Sequence, residues 1–323
     1  MKTTATQAAA HVRAGELLAF PTETVYGLGA DASSDAAVAK IFAAKGRPAD
    51  HPLIVHIASS AQVFDFASSV PHFAERLMAA FWPGPLTVIL PRKPGVASAT
   101  AGGQNSIGLR CPAHPLALEF LKACKELGVL GVAGPSANQF GRVSPTTAQH
   151  VRQEFGDAVM VLDGGPCSVG IESSIVDCTR GQPVLLRPGV LTRAQLSAAC
   201  GQNVLSADEA ADDAPHAPGT LESHYAPNAK VRLMDAKAIQ TALDVLGAEA
   251  AHIAVYARDI VRIKSSNVVY RRMPDDALAT AEQLFAVLRD FDAQGVKLIW
   301  IEPVPDAVEW DGVRDRLARA AAG

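Results

Sequence analysis

Glu16-Leu17-Leu18-Ala19-Phe20-Pro21-Thr22-Glu23-Thr24-Val25-Tyr26-Gly27-Leu28-Gly29 decides the fold class. Glu16–Phe20 reads as a strand, and Pro21 turns it into a polar, glycine-punctuated stretch. Upstream, residues 4–14 read as a short helix with Ala8, Ala9 and Val12 on one face and Thr4 or Thr6 as cap. Downstream, Asp35 caps a helix through Lys45, with Val38, Ile41 and Phe42 at helical spacing. Further strands are predicted at Leu53–Ile57, Leu86–Leu90, 106–110, 129–134, 158–162, 173–177 and 183–187. Helices are predicted at 71–82, where Pro83-Gly84-Pro85 stops the run, and at 115–127, 145–154 and 192–199. The order is too irregular for a repeated βαβ unit, so an α/β fold with a twisted mixed sheet is expected.

Residues 206–219 are acidic, rich in Ala and Pro, and aperiodic, which reads as a linker. Beyond it, strands (Val231–Met234, Ile253–Tyr256, Val268–Arg272, Leu298–Ile301) alternate with helices (236–247, 275–293, 310–321). That alternation predicts a smaller, Rossmann-like open α/β domain with a mostly parallel sheet. The expected organisation is a catalytic domain over 1–205, a linker and lid over 206–228, and a C-terminal α/β domain over 229–323.

A net charge of −4 argues against a generic nucleic-acid coat or membrane-surface binder. The charge is uneven: residues 1–205 hold 16 Lys+Arg against 14 Asp+Glu, and residues 206–323 hold 13 against 19. An anionic ligand therefore belongs to the first part. The five cysteines form no C-x-x-C pair and have no metal-ligand spacing with His, so reduced, buried thiols are expected. After Lys2 come Thr, Gln, His and Arg rather than an apolar run, and no stretch approaches the ~18 apolar residues of a membrane helix. A cytoplasmic protein without membrane attachment is the expectation.

Familiar phosphate-loop, dinucleotide and zinc-protease signatures are absent. Gly134-Pro135-Ser136-Ala137-Asn138 approaches a nucleophile elbow, but Asn138 stands where the second Gly is required, which argues against a serine hydrolase. Lys45-Gly46-Arg47-Pro48 closes a predicted helix. It suits either a plain C-cap or a polyphosphate site, since Arg offers a planar fork and Lys a point charge. Ser106, Gly108 and Arg110 share one face of a strand. Ser136 and Asn138 follow a strand, Glu172-Ser173-Ser174 precedes one, and Arg187-Pro188-Gly189 ends one. Ser144-Pro145-Thr146-Thr147 is either a simple cap or a helix N-terminus that receives an anion. His51 and His56 point to opposite faces of a strand, so no shared metal is expected.

Taken in order, these stretches resemble the YrdC-like family: Pro21–Ala30, Lys45–Pro48 with His51-Pro52-Leu53, Pro83–Thr87, Pro135–Asn138, Ser144–Thr146, Glu172–Ile175 and Arg187–Gly189. The C-terminal domain, and Pro218-Gly219 followed by His224-Tyr225-Ala226-Pro227, look like the longer Sua-type members, the threonylcarbamoyl-AMP synthases. The resemblance implies a twisted catalytic sheet around a positively lined cavity. It implies that L-threonine, bicarbonate or CO2, and ATP are joined into threonylcarbamoyl-AMP with release of pyrophosphate. The product would serve threonylcarbamoyl-adenosine formation in tRNAs that read ANN codons.

Carried over residue by residue, Lys45, Arg47, Ser136 and Asn138 match the family's K-x-R…S-x-N set. Arg47, His51, Ser106, Ser136, Ser144 and Arg187 would hold ATP, with Tyr225 closing over it. Thr24, His56, Arg110, Gly134 and Ser174 would line the threonine pocket. Mg²⁺ would accompany ATP, with no protein-bound structural metal. Downstream threonylcarbamoyl transferase proteins would take the product, and no stable nucleic-acid binding is expected. Two departures stand out: Gly134 and His51 replace Ala and Asn, and residues 217–225 lack the basic residues some relatives carry before His-Tyr. The rival readings are an RNA-binding module without turnover and a carbamoyl-transfer enzyme of the hydrogenase-maturation type. The second normally carries cysteine-rich zinc modules, which this chain lacks.

Overall fold

The structure, a computed structural model, describes residues 3–210, 215–219, 224–259 and 261–323. The chain forms two compact units, Met1–Phe140 with Ser144–Thr220, and Gly141–Val143 with Leu221–Gly323.

In the first unit the strands are β1 (Leu18–Phe20), β2 (Gly27–Asp31), β3 (Ile54–His56), β4 (Leu86–Pro91), β5 (Ser106–Arg110), β6 (Val132–Ala133), β7 (Met160–Val161), β8 (Ser174–Asp177), β9 (Val184–Arg187) and β10 (Leu205–Ser206). They form one sheet in the order β10-β9-β8-β4-β5-β3-β6-β2-β1-β7. The sheet is mixed, with β3/β5, β4/β8, β1/β7 and β9/β10 parallel and β1/β2, β4/β5 and β8/β9 antiparallel. The helices are α1 (Ala5–Arg13), α2 (Asp35–Lys45), the short α3 (Val63–Phe66), α4 (His72–Phe81), α5 (Pro115–Glu126), α6 (Ala148–Phe155) and α7 (Arg193–Cys200).

Ala8, Ala9 and Val12 of α1 pack with Phe120 and Leu121 of α5 against Leu18 and Phe20. Val38 and Ile41 of α2 and Leu77 of α4 join Leu28, Val55, Val88 and Leu109 in a second, larger layer. Each such fully buried aliphatic or aromatic side chain contributes about 1.5–3 kcal/mol of transfer free energy.

Strand β2 was not predicted, because its two glycines weaken any strand pattern. Their role is close approach. A Cβ on Gly27 would stand 2.8 Å from Phe20 Cε1, and one on Gly29 would stand 2.9 Å from Val132 Cγ1. Helix α6 starts at Ala148, later than the expected 145, with the Thr147 hydroxyl accepting from His150 N. The preceding carbonyls are engaged elsewhere: Pro145 O accepts from Tyr26 N and Thr146 O from Cys167 N.

The predicted linker also differs. Leu205 and Ser206 add β10 beside β9, and Ala217 packs against Ile54, Ile89, Ile175, Val184 and Leu186, with Ala210 beside them. The first unit therefore runs on past 205 to Thr220. Small apolar residues in an acidic, aperiodic stretch were enough to settle it on the sheet face. Linker residues 211–214 and 220–223 lie outside the described residues.

The second unit holds β11 (Lys230–Leu233), β12 (Ile253–Ala257), β13 (Val268–Arg272) and β14 (Leu298–Ile301) in the order β11-β14-β12-β13. All pairings are parallel, as expected. Its helices are α8 (Ala236–Leu246), α9 (Ala277–Ala293) and α10 (Asp311–Ala321). Ile239 and Leu243 of α8 pack with Ile253, Val255 and Trp300 of the sheet. His224–Asn228, expected in the linker, belong to this unit: Ala226 bridges Arg142, and the Asp292 carboxylate accepts from Asn228 N and Ala229 N at 2.7 and 3.0 Å. No helix among the described residues is long and apolar enough to cross a membrane.

Candidate active site

Helix α2 ends where Gly46 takes the left-handed conformation (φ +61°), its N–H bonding back to Ala43 and Phe42 carbonyls. That cap leaves Lys45 as the last helical residue and projects Arg47 beyond it. Lys45 is buried, and its Nζ donates to Ser136 O at 2.5 Å and also to Asn138 O. Phe140 N donates back to Lys45 O at 2.9 Å, and Gln139 Nε2 to Ala44 O at 3.1 Å. The 136–140 turn is thus laced onto the end of α2. Burial, followed by the Arg47 charge, pulls the Lys45 pKa down to about 7.

Arg47 donates to Pro52 O at 3.1 Å and lies 5.7 Å from the Phe140 ring centre, and the His51 ring lies 5.6 Å from the same aromatic ring. Burial and Arg47 both lower the His51 pKa. Lys45, Arg47, His51, Ser136 and Asn138 therefore gather around one helix end, with the Phe140 ring near both Arg47 and His51. Phe140 escaped the sequence reading; an aromatic residue soon after the S-x-N triplet was the available signal.

The remaining nucleotide candidates form a second group. Arg187 reaches Ser173 O through Nε (3.0 Å), Ser173 Oγ through Nη2 (3.2 Å) and Pro218 O through Nη1 (2.9 Å). Ser173 Oγ also lies 2.8 Å from Thr87 Oγ1. The Ser144 hydroxyl donates to Glu172. Ser106 lines a narrow cleft with Pro52, Thr87, Gly108 and Pro218. The backbone of His216, exchanging bonds with the Gln104 side chain, sits at the same place. Tyr225 is placed in the second unit: it is buried at φ +61°, stacked 5.4 Å from Phe285 and 5.2 Å from the Arg316 guanidinium.

The threonine candidates converge at the ends of β1, β3, β5 and β6. His56 and Arg110 are register partners across β3 and β5. Gly134 N donates to Ile54 O, and a Cβ at Gly134 would lie 2.9 Å from both His56 Nδ1 and Phe20 Cζ. Gly134 thus gives the imidazole its room, and the His56 ring meets Phe20 edge-on at 5.2 Å. Thr24 Oγ1 lies 2.8 Å from Thr22 Oγ1, inside the loop between β1 and β2. Ser174 is buried at the start of β8, two strands from Arg110 across β4.

Arg110 is not alone in its charge. Glu23 Oε1 accepts from Arg110 Nη2 at 2.7 Å, and both side chains are buried. Glu23 was not among the predicted site residues, since the sequence reading looked for cations and hydroxyls around anionic substrates.

Burial, then the Arg110 charge, lowers the His56 pKa to about 3. Its NMR ring resonances are expected to stay fixed between about pH 5 and 8, while those of His51 titrate below its ordinary value of about 6.5. Because unfolded His56 takes up a proton near 6.5 and the folded one does not until about 3, stability falls as the pH drops through that window. A His56 titration near neutrality would mean that the ring is hydrated.

Residues 10–189 match the Sua5–YciO–YrdC family model, described as "Telomere recombination", and residues 191–322 match the threonylcarbamoyl-AMP synthase C-terminal domain. The Bacillus subtilis threonylcarbamoyl-AMP synthase is 41% identical, covering 98% of this chain and 92% of its own. The Pyrococcus abyssi enzyme of the same name is 38% identical over 97% of this chain and 93% of its own. The crystal structure of P. abyssi Sua5 complexed with L-threonine matches with TM-score 0.88 and 37% identity, covering 98% of this chain and 94% of that one. This chain belongs to the two-domain threonylcarbamoyl-AMP synthase family.

Proposed function

We propose that the protein is an L-threonylcarbamoyladenylate synthase, a nucleotidyltransferase that converts L-threonine, bicarbonate or CO2, and ATP into threonylcarbamoyl-AMP and pyrophosphate. The observation that supports this reading is the meeting of His56, Arg110 and Gly134 at neighbouring strand ends, in a chain that shares its fold with a relative seen holding L-threonine. A buried guanidinium beside a neutral imidazole suits an amino-acid carboxylate and a neighbouring hydroxyl.

In the proposed reaction the unprotonated threonine amine first adds to CO2 and gives up a proton to form the carbamate, or reacts with bicarbonate with loss of water. One oxygen of the new carbamate attacks the α-phosphorus, and the bond to the bridging oxygen breaks as pyrophosphate leaves. The nucleophile is already anionic, so this step needs no general base. The site must instead hold two anions together and offset their repulsion. Arg47 and Arg187 would supply that offset at the triphosphate. Lys45, whose ammonium is engaged with the Ser136 and Asn138 carbonyls, would act by fixing their turn to the end of α2. The donor set of cations and hydroxyls fits a metal that arrives with the nucleotide, so Mg²⁺ would be held chiefly by phosphate oxygens and would neutralise their charge. The labile product would pass in the cytoplasm to the transferase that modifies tRNA.

The direct test is pyrophosphate release from ATP by the full chain, with and without L-threonine and bicarbonate, using serine and valine as controls. Release that requires both co-substrates is the expected result. Release indifferent to threonine would make the protein a nucleotide hydrolase.

A further inference from the structure

Glu23 is fixed from three directions. Its Oε1 accepts from Arg110 Nη2 at 2.7 Å, its Oε2 from Ala113 N at 3.0 Å, and its main-chain oxygen from Val169 N at 2.7 Å. Its side chain and that of Arg110 are 8% and 4% exposed. Arg110 Nε is buried without a hydrogen-bond partner among the described residues, so the guanidinium still has a donor to offer. His56, Cys111 and Cys167, described titratable groups beside the pair, carry no charge near neutral pH. Burial, and after it the Arg110 charge, keeps His56 unprotonated, and burial raises the Cys111 and Cys167 thiols to about 11 and 12. Thr22 and Thr24 contribute only hydroxyls. Among these described groups the fixed charges are one positive and one negative, both out of water.

A buried site of zero net charge discriminates by the charge of what enters. A free amino acid brings one ammonium and one carboxylate and leaves the total unchanged. A carboxylic acid without the amine adds an uncompensated buried anion, and an amino ester adds an uncompensated cation; each carries a desolvation penalty that the zwitterion avoids. An isolated arginine clamp would behave differently and favour the anion. We infer that Glu23 is a specificity-determining residue, which balances Arg110 so that the amino-acid subsite accepts the zwitterion and rejects its net-charged analogues. The inference rests on the threonine pocket proposed above and adds to it the residue that sets its selectivity.

The test is equilibrium binding to the full chain without ATP, so that it does not depend on turnover. Three probes differ in charge: L-threonine, 3-hydroxybutyrate (threonine without its amine) and threonine methyl ester. On the wild-type chain both analogues are expected to bind at least about tenfold more weakly than threonine. In Glu23→Gln, which keeps the size and removes the charge, the preference for threonine over 3-hydroxybutyrate should fall by at least about tenfold. Glu23→Asp should retain most of that preference. Equal weakening of all probes in Glu23→Gln would reduce Glu23 to structural support and overturn the inference. So would a wild-type preference for 3-hydroxybutyrate over the methyl ester and threonine, a result that needs no variant to fold. A wild-type chain that neither binds threonine nor turns it over defeats the synthase reading itself, whereas threonine binding with an unchanged ratio in Glu23→Gln defeats only the role of Glu23.

Discussion

Arg47→Ala is expected to lower threonine-dependent pyrophosphate release by about 10²–10³-fold or more, the range found when a charge-stabilising donor is removed from a reaction site. The fold should survive. Arg47 lies beyond the glycine that ends α2, outside the helix, and its partners include the Pro52 carbonyl and the Phe140 ring. A cation over an aromatic ring is worth about 0.5–2 kcal/mol, too little to unfold the first unit. What disappears is a planar fork at the one helix end where Lys45, His51, Ser136 and Asn138 meet. Lys45 does not substitute for it, because the Lys45 ammonium is bound to two main-chain carbonyls. Arg47→Lys should recover only part of the rate, since a point charge lacks the bidentate geometry. Steady-state pyrophosphate release beside a thermal melt separates the two effects. Wild-type turnover in a folded Arg47→Ala variant would remove Arg47 from the reaction.

The contrast between Lys45 and Arg47 shows how far residue order alone could be read. Lys45-Gly46-Arg47-Pro48 alone read equally as a plain C-cap, and it was the recurrence of cations and hydroxyls at other segment ends that made a shared anion site legible. The different duties of Lys45 and Arg47 were not legible, because the acceptors of Lys45 are carbonyls of residues 136 and 138, far away in sequence. The second unit was read almost completely, since strands and helices there alternate with strong periodicity and its sheet is wholly parallel. The first unit hid β2 behind Gly27 and Gly29, whose value lies in the Phe20 ring they admit. Leu205, Ala210 and Ala217 hid their packing behind the acidic composition around them, though they reach an apolar face. Glu23 was hidden by its sign. Charge complementarity to an anionic substrate predicts cations, and only the observed 2.7 Å contact with Arg110 reveals that the site balances them.

That contact governs the outcome of Arg110→Ala. Two effects are expected together: a threonine requirement raised by about two orders of magnitude with the ATP requirement little changed, and a loss of about 3–5 kcal/mol in stability. The first follows from removing the guanidinium that would receive the amino-acid carboxylate. The second follows from leaving the Glu23 carboxylate buried with, among the described residues, the Ala113 N–H alone to satisfy it. A single variant therefore confounds binding with folding, and the pair must be removed as a pair. In Glu23→Gln/Arg110→Met no buried charge is left behind, so stability should return to near the wild-type value, as is common when a buried ion pair gives way to neutral residues of similar size. The threonine response should not return with it, because no group remains to bind the carboxylate. Denaturant melts and threonine titrations on the wild type, Glu23→Gln, Arg110→Met and the double variant close the cycle. A double variant that regains threonine dependence would show that Arg110 acts only as the structural partner of Glu23, and the carboxylate clamp would have to be sought elsewhere in the pocket.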